Sequence, residues 1–166
     1  MVTNLLPVFK DPLVSIVIVN WNYARFVGQA IASVRSQTYT NFKCIVVDNA
    51  STDNSLAVIN EAIAGDNRFQ VHGLPENRGH LGGALSVLDR VPGDFVVFLD
   101  ADDILFDNFL SSHIQVHLAT TTPTSFTSSN FITVDEDLTV TAGRVGYIDD
   151  HCRGLRSSLA PVAPIV

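Results

Sequence analysis

Three carboxylates, Asp100, Asp102 and Asp103, directly follow the apolar segment 95–99. Like charges this close repel one another and raise each other's pKa, so the cluster favours a bound cation. Residues two apart in extended backbone point to the same side, which lets Asp100 and Asp102 address one cation or one sugar–phosphate. Asp103 points elsewhere unless the strand has already turned. Carboxylates in small number suit Mg²⁺ or Mn²⁺ shared with substrate phosphates.

The elements on either side of this cluster give it a place in a fold. Residues 95–99 are apolar throughout, which predicts a central parallel strand covered on both faces. Ligands of open α/β sheets bind beyond the carboxyl ends of such strands, where the cluster is expected. The simpler alternative is that Asp102 or Asp103 caps a helix after Ile104, which would account for one carboxylate.

A second mostly apolar segment, residues 42–47, also ends in a carboxylate, Asp48. If the two strands are parallel, Asp48 opens on the same edge as Asp100, where it can accept an N–H from a nucleobase. The alternative is a turn-forming aspartate at a strand end. Ser51 or Thr52 is predicted to be the N-cap of the next helix, so this segment positions Asp48 rather than binding a ligand.

Polar and aromatic side chains follow the first strand: Asn20, Trp21, Asn22 and Tyr23. Trp21 and Tyr23 are predicted to form a wall that stacks on a base, and the alternative is packing at the rim of the core. This turn has neither the G-x-G-x-x-G of dinucleotide sites nor the G-K-[ST] of P-loops. Its sequence argues against NAD enzymes and NTPases.

A further polar segment, N-R-G-H at residues 77–80, leads into a helix rich in small residues, which can approach the sheet or a ligand closely. Arg78 is a candidate phosphate or base contact, because its guanidinium donates two hydrogen bonds as a fork. The alternative is an ordinary surface arginine. His113 and His117 have helical spacing but no acidic residue between them, unlike H-E-x-x-H, and are interpreted as structural or solvent-facing.

Strands and helices alternate along the chain. Apolar runs predict strands at 14–19, 42–47, 69–72, 95–99, 125–134 and 139–145, and helical spacing predicts helices at 26–37, 51–64, 79–89 and 109–119. Strand–helix–strand repetition predicts an α/β fold, with a mostly parallel central sheet and helices on both faces.

The composition indicates one globular domain of 166 residues. A net charge of −7 argues against binding nucleic acid or anionic lipid through basic side chains. Cys44 and Cys152 form neither a disulfide framework nor a zinc motif, and Cys44 is expected in the core. Because the sequence shows no signal peptide or transmembrane segment, we expect a cytoplasmic protein, with peripheral association at the inner face of the membrane as the alternative.

The chain resembles the inverting family 2 glycosyltransferases of GT-A fold in four segments, VSIVIVNWN, FKCIVVDNASTDNS, ENRGHLGGALSVL and GDFVVFLDADD. The resemblance extends from residue 14 to about residue 140. It implies a single nucleotide-sugar-binding domain over residues 1–166, a UDP-sugar donor, transfer with inversion and a role in cell-envelope polysaccharide biosynthesis. Many relatives have a second aspartate where this chain has Asn49.

The same resemblance assigns roles to the residues at the strand ends. Asp100, Ala101 and Asp102 would be the DxD motif, which contacts the ribose and holds Mn²⁺ or Mg²⁺ against the donor diphosphate. Asp102 is the first candidate for the metal and Asp103 its competitor. Asp48 would bind the base, and the pocket of that base would be lined by Asn20, Trp21, Asn22 and Tyr23, with Arg78 on the base or diphosphate side.

In this family the general base that deprotonates the acceptor lies well downstream of the DxD motif, and Asp149 and Asp150 are too close to it to be good candidates. We therefore expect the base and an acceptor-binding part to lie outside this chain, whose apolar end at 159–166 looks like the interior of a larger fold. The resemblance implies a carbohydrate or lipid-linked acceptor, whose identity the sequence does not give. The alternatives are a non-catalytic nucleotide-sugar-binding or interaction module and, ranked lower, a nucleotidyltransferase.

Overall fold

The computed structural model describes residues 11–119, 125–129, 131–135 and 137–144. The elements in chain order are β1 (Val14–Asn20), α1 (Val27–Arg35), β2 (Phe42–Asp48), α2 (Ser55–Ile63), β3 (Phe69–Gly73), α3 (Gly79–Leu85), β4 (Phe95–Asp100), α4 (Phe109–Ala119), β5 (Phe131–Val134) and β6 (Val140–Arg144). A 3₁₀ turn at Leu88–Arg90 follows α3. The chain forms two compact units, Met1–Gln115 and Val116–Val166.

The first unit contains a four-stranded sheet of order β3-β2-β1-β4, in which every neighbouring pair is parallel. β1 lies inside the sheet and all seven of its residues are buried. Its sequence, VSIVIVN, is rich in the β-branched residues that suit a strand covered on both faces.

Helices cover both faces of this sheet, which confirms the predicted α/β architecture. On one face, β1 and β2 pack against α1, α2 and the first turns of α4, through residues that include Ile16, Ile18, Val46, Ile31, Val34, Ile59 and Leu110. On the other face, α3 and the turn after it supply Ala84 and Val87 to a smaller cluster with Val17, Val19, Ile45 and Val47. The alternation along β1 sends successive side chains to opposite cores.

The prediction that residues 95–99 form a central strand covered on both faces is wrong for the described residues. β4 is at the end of the strand order, with β1 as its one neighbour. Val96 and Phe98 are exposed, Phe98 by 50%, while Leu99 packs in the larger core. An apolar run therefore identified the strand, but β1 holds the covered position.

Three predicted boundaries differ from the structure by four residues or more. α3 ends at Leu85 rather than at residue 89, since three of its seven residues are glycine, which has low helix propensity. α2 begins at Ser55 rather than at residue 51. Among the described residues of the predicted strand 125–134, the strand is confined to Phe131–Val134, which pairs antiparallel with β6 in the second unit.

Cys44 is buried in the core as expected, and burial raises the pKa of its thiol. Cys152, Asp149 and Asp150 lie outside the described residues. No helix in the described part of the chain combines the length and apolar character that crossing a membrane requires.

Candidate functional site

The carboxyl ends of β1, β2 and β4 meet at one edge of the sheet. The register pairs Asn20 of β1 with Asp48 of β2, and Val19 of β1 with Asp100 of β4. Asp48 and Asp100 therefore end the two strands that flank β1, separated by roughly 10 Å of sheet, or two strand spacings. The structure thus brings together the two strand-end carboxylates that the sequence placed on a common edge.

Asn20 is fully buried behind Asp48. Its Nδ2 donates to Asp48 Oδ1 at 3.2 Å and to the hydroxyl oxygen of Ser51 at 3.1 Å. The bond to Ser51 holds the Asn20 amide, and the bond to Asp48 orients a carboxylate that is itself 6% exposed. The geometry gives Asn20 a supporting position behind Asp48, and its predicted contact with a donor stays a prediction.

Ser51 and Thr52 do not cap α2, contrary to the prediction, because that helix has Asn54 at its N-cap. Both residues face the turn after β1 instead. Ser51 Oγ accepts the N–H of Asn22 at 3.0 Å, and Asn22 Oδ1 accepts the N–H of Thr52 at 2.7 Å. Asp53 Oδ2 accepts the N–H of Ala24 at 3.0 Å. This segment fastens the turn after β1, in line with a positioning role.

The two aromatic residues of that turn are open to solvent. Trp21 is 48% exposed and Tyr23 is 40% exposed. Tyr23 also contacts Phe26 at a centroid distance of 6.0 Å, so one side of its ring is already packed. Trp21 has a free indole surface of the kind that stacks on a nucleobase.

The three carboxylates at the end of β4 share one turn. β4 ends at Asp100, and the N–H of Asp103 donates to the carbonyl of Asp100 at 3.1 Å. Loss of hydration raises the pKa of Asp103, and the negative charges of Asp100 and Asp102 raise it further. Because the chain has turned, alternation along a strand no longer separates Asp103 from the other two. α4 begins only at Phe109, so the capping alternative for Asp102 or Asp103 is wrong.

Sequence reasoning did not anticipate the partner of Asp100, which is His80 at the start of α3. His80 Nε2 lies 2.5 Å from Asp100 Oδ1. The sequence marks the segment N-R-G-H as polar, but it predicts a ligand contact for Arg78 and no role for His80. Arg78 itself is half exposed, with its guanidinium 3.6 Å from Glu76 Oε1.

The described residues contain no group of three or more histidine, cysteine, aspartate or glutamate side chains placed to hold a metal ion. The carboxylate turn suits a cation in another way. Carboxylates are hard oxygen donors, and the mutual repulsion of three of them in one turn also favours a dication. A site of this kind would draw its remaining ligands from substrate phosphates and water. His113 stacks against Phe109 and His117 bonds to Thr127, which fits the structural interpretation of both.

The fold is that of the GT-A glycosyltransferases. A solved structure with this fold, the mannosyltransferase PcManGT from Pyrobaculum calidifontis in complex with GDP-Man and Mn²⁺, matches 66% of this chain and 33% of its own, with a TM-score of 0.62 and 22% identity. The family model for glycosyl transferase family 2 matches residues 15–127. The chain belongs to this family.

Curated relatives agree with that assignment. An uncharacterized glycosyltransferase of Haemophilus influenzae is 33% identical over 64% of this chain and 43% of its own length. The Escherichia coli protein WfgD, named a UDP-Glc:alpha-D-GlcNAc-diphosphoundecaprenol beta-1,3-glucosyltransferase, is 33% identical over 65% of this chain and 42% of its own. The match thus spans less than half the length of either relative.

Proposed function

We propose that this protein forms the donor-binding part of a glycosyltransferase that uses a nucleoside-diphosphate sugar, with a UDP-sugar as the first candidate. The observation that carries the proposal is the register of the sheet, which sets Asp48 and Asp100 on either side of β1 at one edge. A nucleoside diphosphate laid along this edge would place its base at Asp48 and its phosphate end at the turn after β4.

The contacts of these residues support distinct roles. Asp48, held by Asn20, accepts an N–H from the base, and the exposed ring of Trp21 stacks on that base. Asp100 contacts the ribose, and Arg78 donates to the diphosphate. Asn22 ties the wall of the pocket to the turn at residues 51–53.

Asp102, with Asp103 as its competitor, would hold Mn²⁺ or Mg²⁺ beside the diphosphate. When bound, the dication stabilises the negative charge that grows on the leaving nucleoside diphosphate. The acceptor hydroxyl attacks the anomeric carbon from the opposite side, which inverts that centre, and its proton passes to a carboxylate base. We place this base in an acceptor-binding part of a longer protein.

The relatives narrow the choice of substrates. WfgD is named for UDP-Glc and for a lipid-linked diphosphate acceptor, whereas the more distant PcManGT was solved with GDP-Man. The nearer relative favours UDP and a lipid-linked acceptor in cell-envelope polysaccharide synthesis. A lipid-linked acceptor would place the protein at the inner face of the membrane. Relatives named as glycosyltransferases do not favour the alternative of a non-catalytic binding module.

Thermal unfolding tests this function. A ligand selective for the native state at 100 times its dissociation constant adds about 2.7 kcal/mol of stability, which raises the midpoint by several degrees. We expect Mn²⁺ with UDP to raise the midpoint more than either alone. The absence of a shift with UDP and with every other nucleoside diphosphate would rule out a donor site.

A further inference from the structure

Asn49 connects the end of β2 to the turn that precedes α3. It is 1% exposed. Its Nδ2 donates to Asn77 Oδ1 at 3.1 Å and to the carbonyl of Gly79 at 3.0 Å, while its Oδ1 accepts the N–H of Arg78 at 2.9 Å. Both donors and the acceptor of this buried amide are therefore used within one three-residue turn.

An amide and a carboxylate are not equivalent at this position. An aspartate has the same shape as asparagine but no donor when ionised. It would face two oxygen atoms, from Asn77 and Gly79, that now receive hydrogen bonds. The pattern of partners in this chain requires the asparagine.

The Asn49 side chain makes hydrogen bonds to the backbone at Arg78 and at the residue that follows it. One is made to the N–H of Arg78 and the next to the carbonyl of the following residue, Gly79. Gly79 has a φ of +71°, a conformation that glycine adopts without strain, and its N–H donates to Asn77 Oδ1 at 2.7 Å. The backbone of Arg78 is thus fixed from the buried side, while its side chain is half exposed.

We propose that Asn49 is a positioning residue for donor binding, which acts by holding the backbone of Arg78 so that the guanidinium meets the donor diphosphate. The inference rests on the proposed function, because a donor diphosphate is the anion that Arg78 would bind. A planar guanidinium binds a diphosphate through directed hydrogen bonds, so a small displacement of its backbone weakens both bonds together.

A double-mutant cycle on UDP affinity, measured by calorimetry with Mn²⁺, tests this role. We expect Asn49→Asp and Arg78→Ala each to weaken binding about tenfold, and the double variant to bind within about twofold of Arg78→Ala, because one residue acts through the other. If Asn49 had a purely structural role, its substitution would weaken binding independently of Arg78, and the loss of affinity in the double variant would be the product of the two single losses. Multiplied losses, or an Asn49→Asp variant with wild-type affinity, would overturn the inference.

Two further variants keep the test interpretable. Asn60→Asp makes the same substitution at an exposed site in α2, where the amide donates to Leu56, and should leave UDP affinity unchanged. If Asn49→Asp does not fold, Asn77→Ala removes the exposed acceptor of the same turn, and we expect the same coupling to Arg78. A wild-type protein that binds neither UDP nor any other nucleoside diphosphate would refute the proposed function, whereas binding with multiplied losses would refute only this inference.

Discussion

His80 Nε2 lies 2.5 Å from Asp100 Oδ1, which ties the first turn of α3 to the last residue of β4. A carboxylate has about four lone-pair sites, so one held oxygen leaves capacity for a ligand. The pair stands at the same edge of the sheet as Asp48. It gives the turn that carries Asp100, Asp102 and Asp103 an anchor on a second element.

Loss of this anchor should weaken donor binding modestly. Exposed pairs contribute up to about 1 kcal/mol, so we expect His80→Ala to lower UDP affinity about two- to fivefold in the presence of Mn²⁺. His80→Gln should keep most of the affinity, because its amide N–H can replace the imidazole donor. Calorimetric titration measures both. His113→Ala, on α4, is the control, and a His80→Ala protein that binds as tightly as wild type would contradict the role.

Asp102→Asn should abolish the part of the UDP-induced thermal shift that depends on metal. The substitution keeps the shape of the side chain and removes the charge that holds a dication. The exposed Asp89, on the 3₁₀ turn, provides the control Asp89→Asn, which should respond as wild type does. If Asp102→Asn keeps the full metal response and Asp103→Asn loses it, the metal residue is Asp103 and the present assignment is wrong.

The packing of α3 on β1 depends on a glycine. A Cβ at Gly83 would lie 2.8 Å from Val19 Cγ1, whereas one at Gly73 would meet no atom within 4 Å. We expect Gly83→Ala to lower the free energy of unfolding by about 1–3 kcal/mol, as overpacking does, and Gly73→Ala to cost less. Urea denaturation compares the two. Equal stability of the two variants would show that α3 does not approach β1 this closely.

Asp66 makes stability depend on pH. The side-chain hydrogen bonds from Arg68 lower the pKa of Asp66 to about 2. Since this is below the unfolded value of about 3.9, the stabilisation is present above about pH 4 and is lost as pH falls towards 2. Asp66→Asn should cost about 1–2 kcal/mol at pH 7 and flatten the loss between pH 5 and 2.

Urea denaturation at several pH values measures this effect, with Asp89→Asn as the control for removing an exposed carboxylate. An Asp66→Asn protein that loses stability as steeply as wild type between pH 5 and 2 would show that the Asp66–Arg68 pair is not its source.

The sequence predicted the strand ends well and their environment less well. Asp48 and Asp100 could be placed on one edge because parallel strands present their carboxyl ends together. The order of the strands could not be predicted, since apolar composition is similar in the covered β1 and in the edge strand β4. Because the two compositions are similar, the sequence predicts a covered position for Phe98, whereas the structure exposes it.

The supporting contacts escaped sequence reasoning for a different reason. His80 and Asp100 are 20 residues apart, and Asn49 and Arg78 are 29 apart. Such pairs form only when a loop closes on a strand end, and no local pattern records which side chain will be donor or acceptor. The small residues of α3 gave a usable signal, because they predicted the close approach that Gly83 makes to Val19.

Calorimetric titration of UDP into the protein, in Mn²⁺ and again in EDTA, tests the central claim most directly. If the edge formed by Asp48, Asp100 and Asp102 is a donor site, UDP will saturate a single site, with affinity about tenfold or more weaker in EDTA. Absence of saturable binding by UDP or any other nucleoside diphosphate, with either Mn²⁺ or Mg²⁺, would contradict the account.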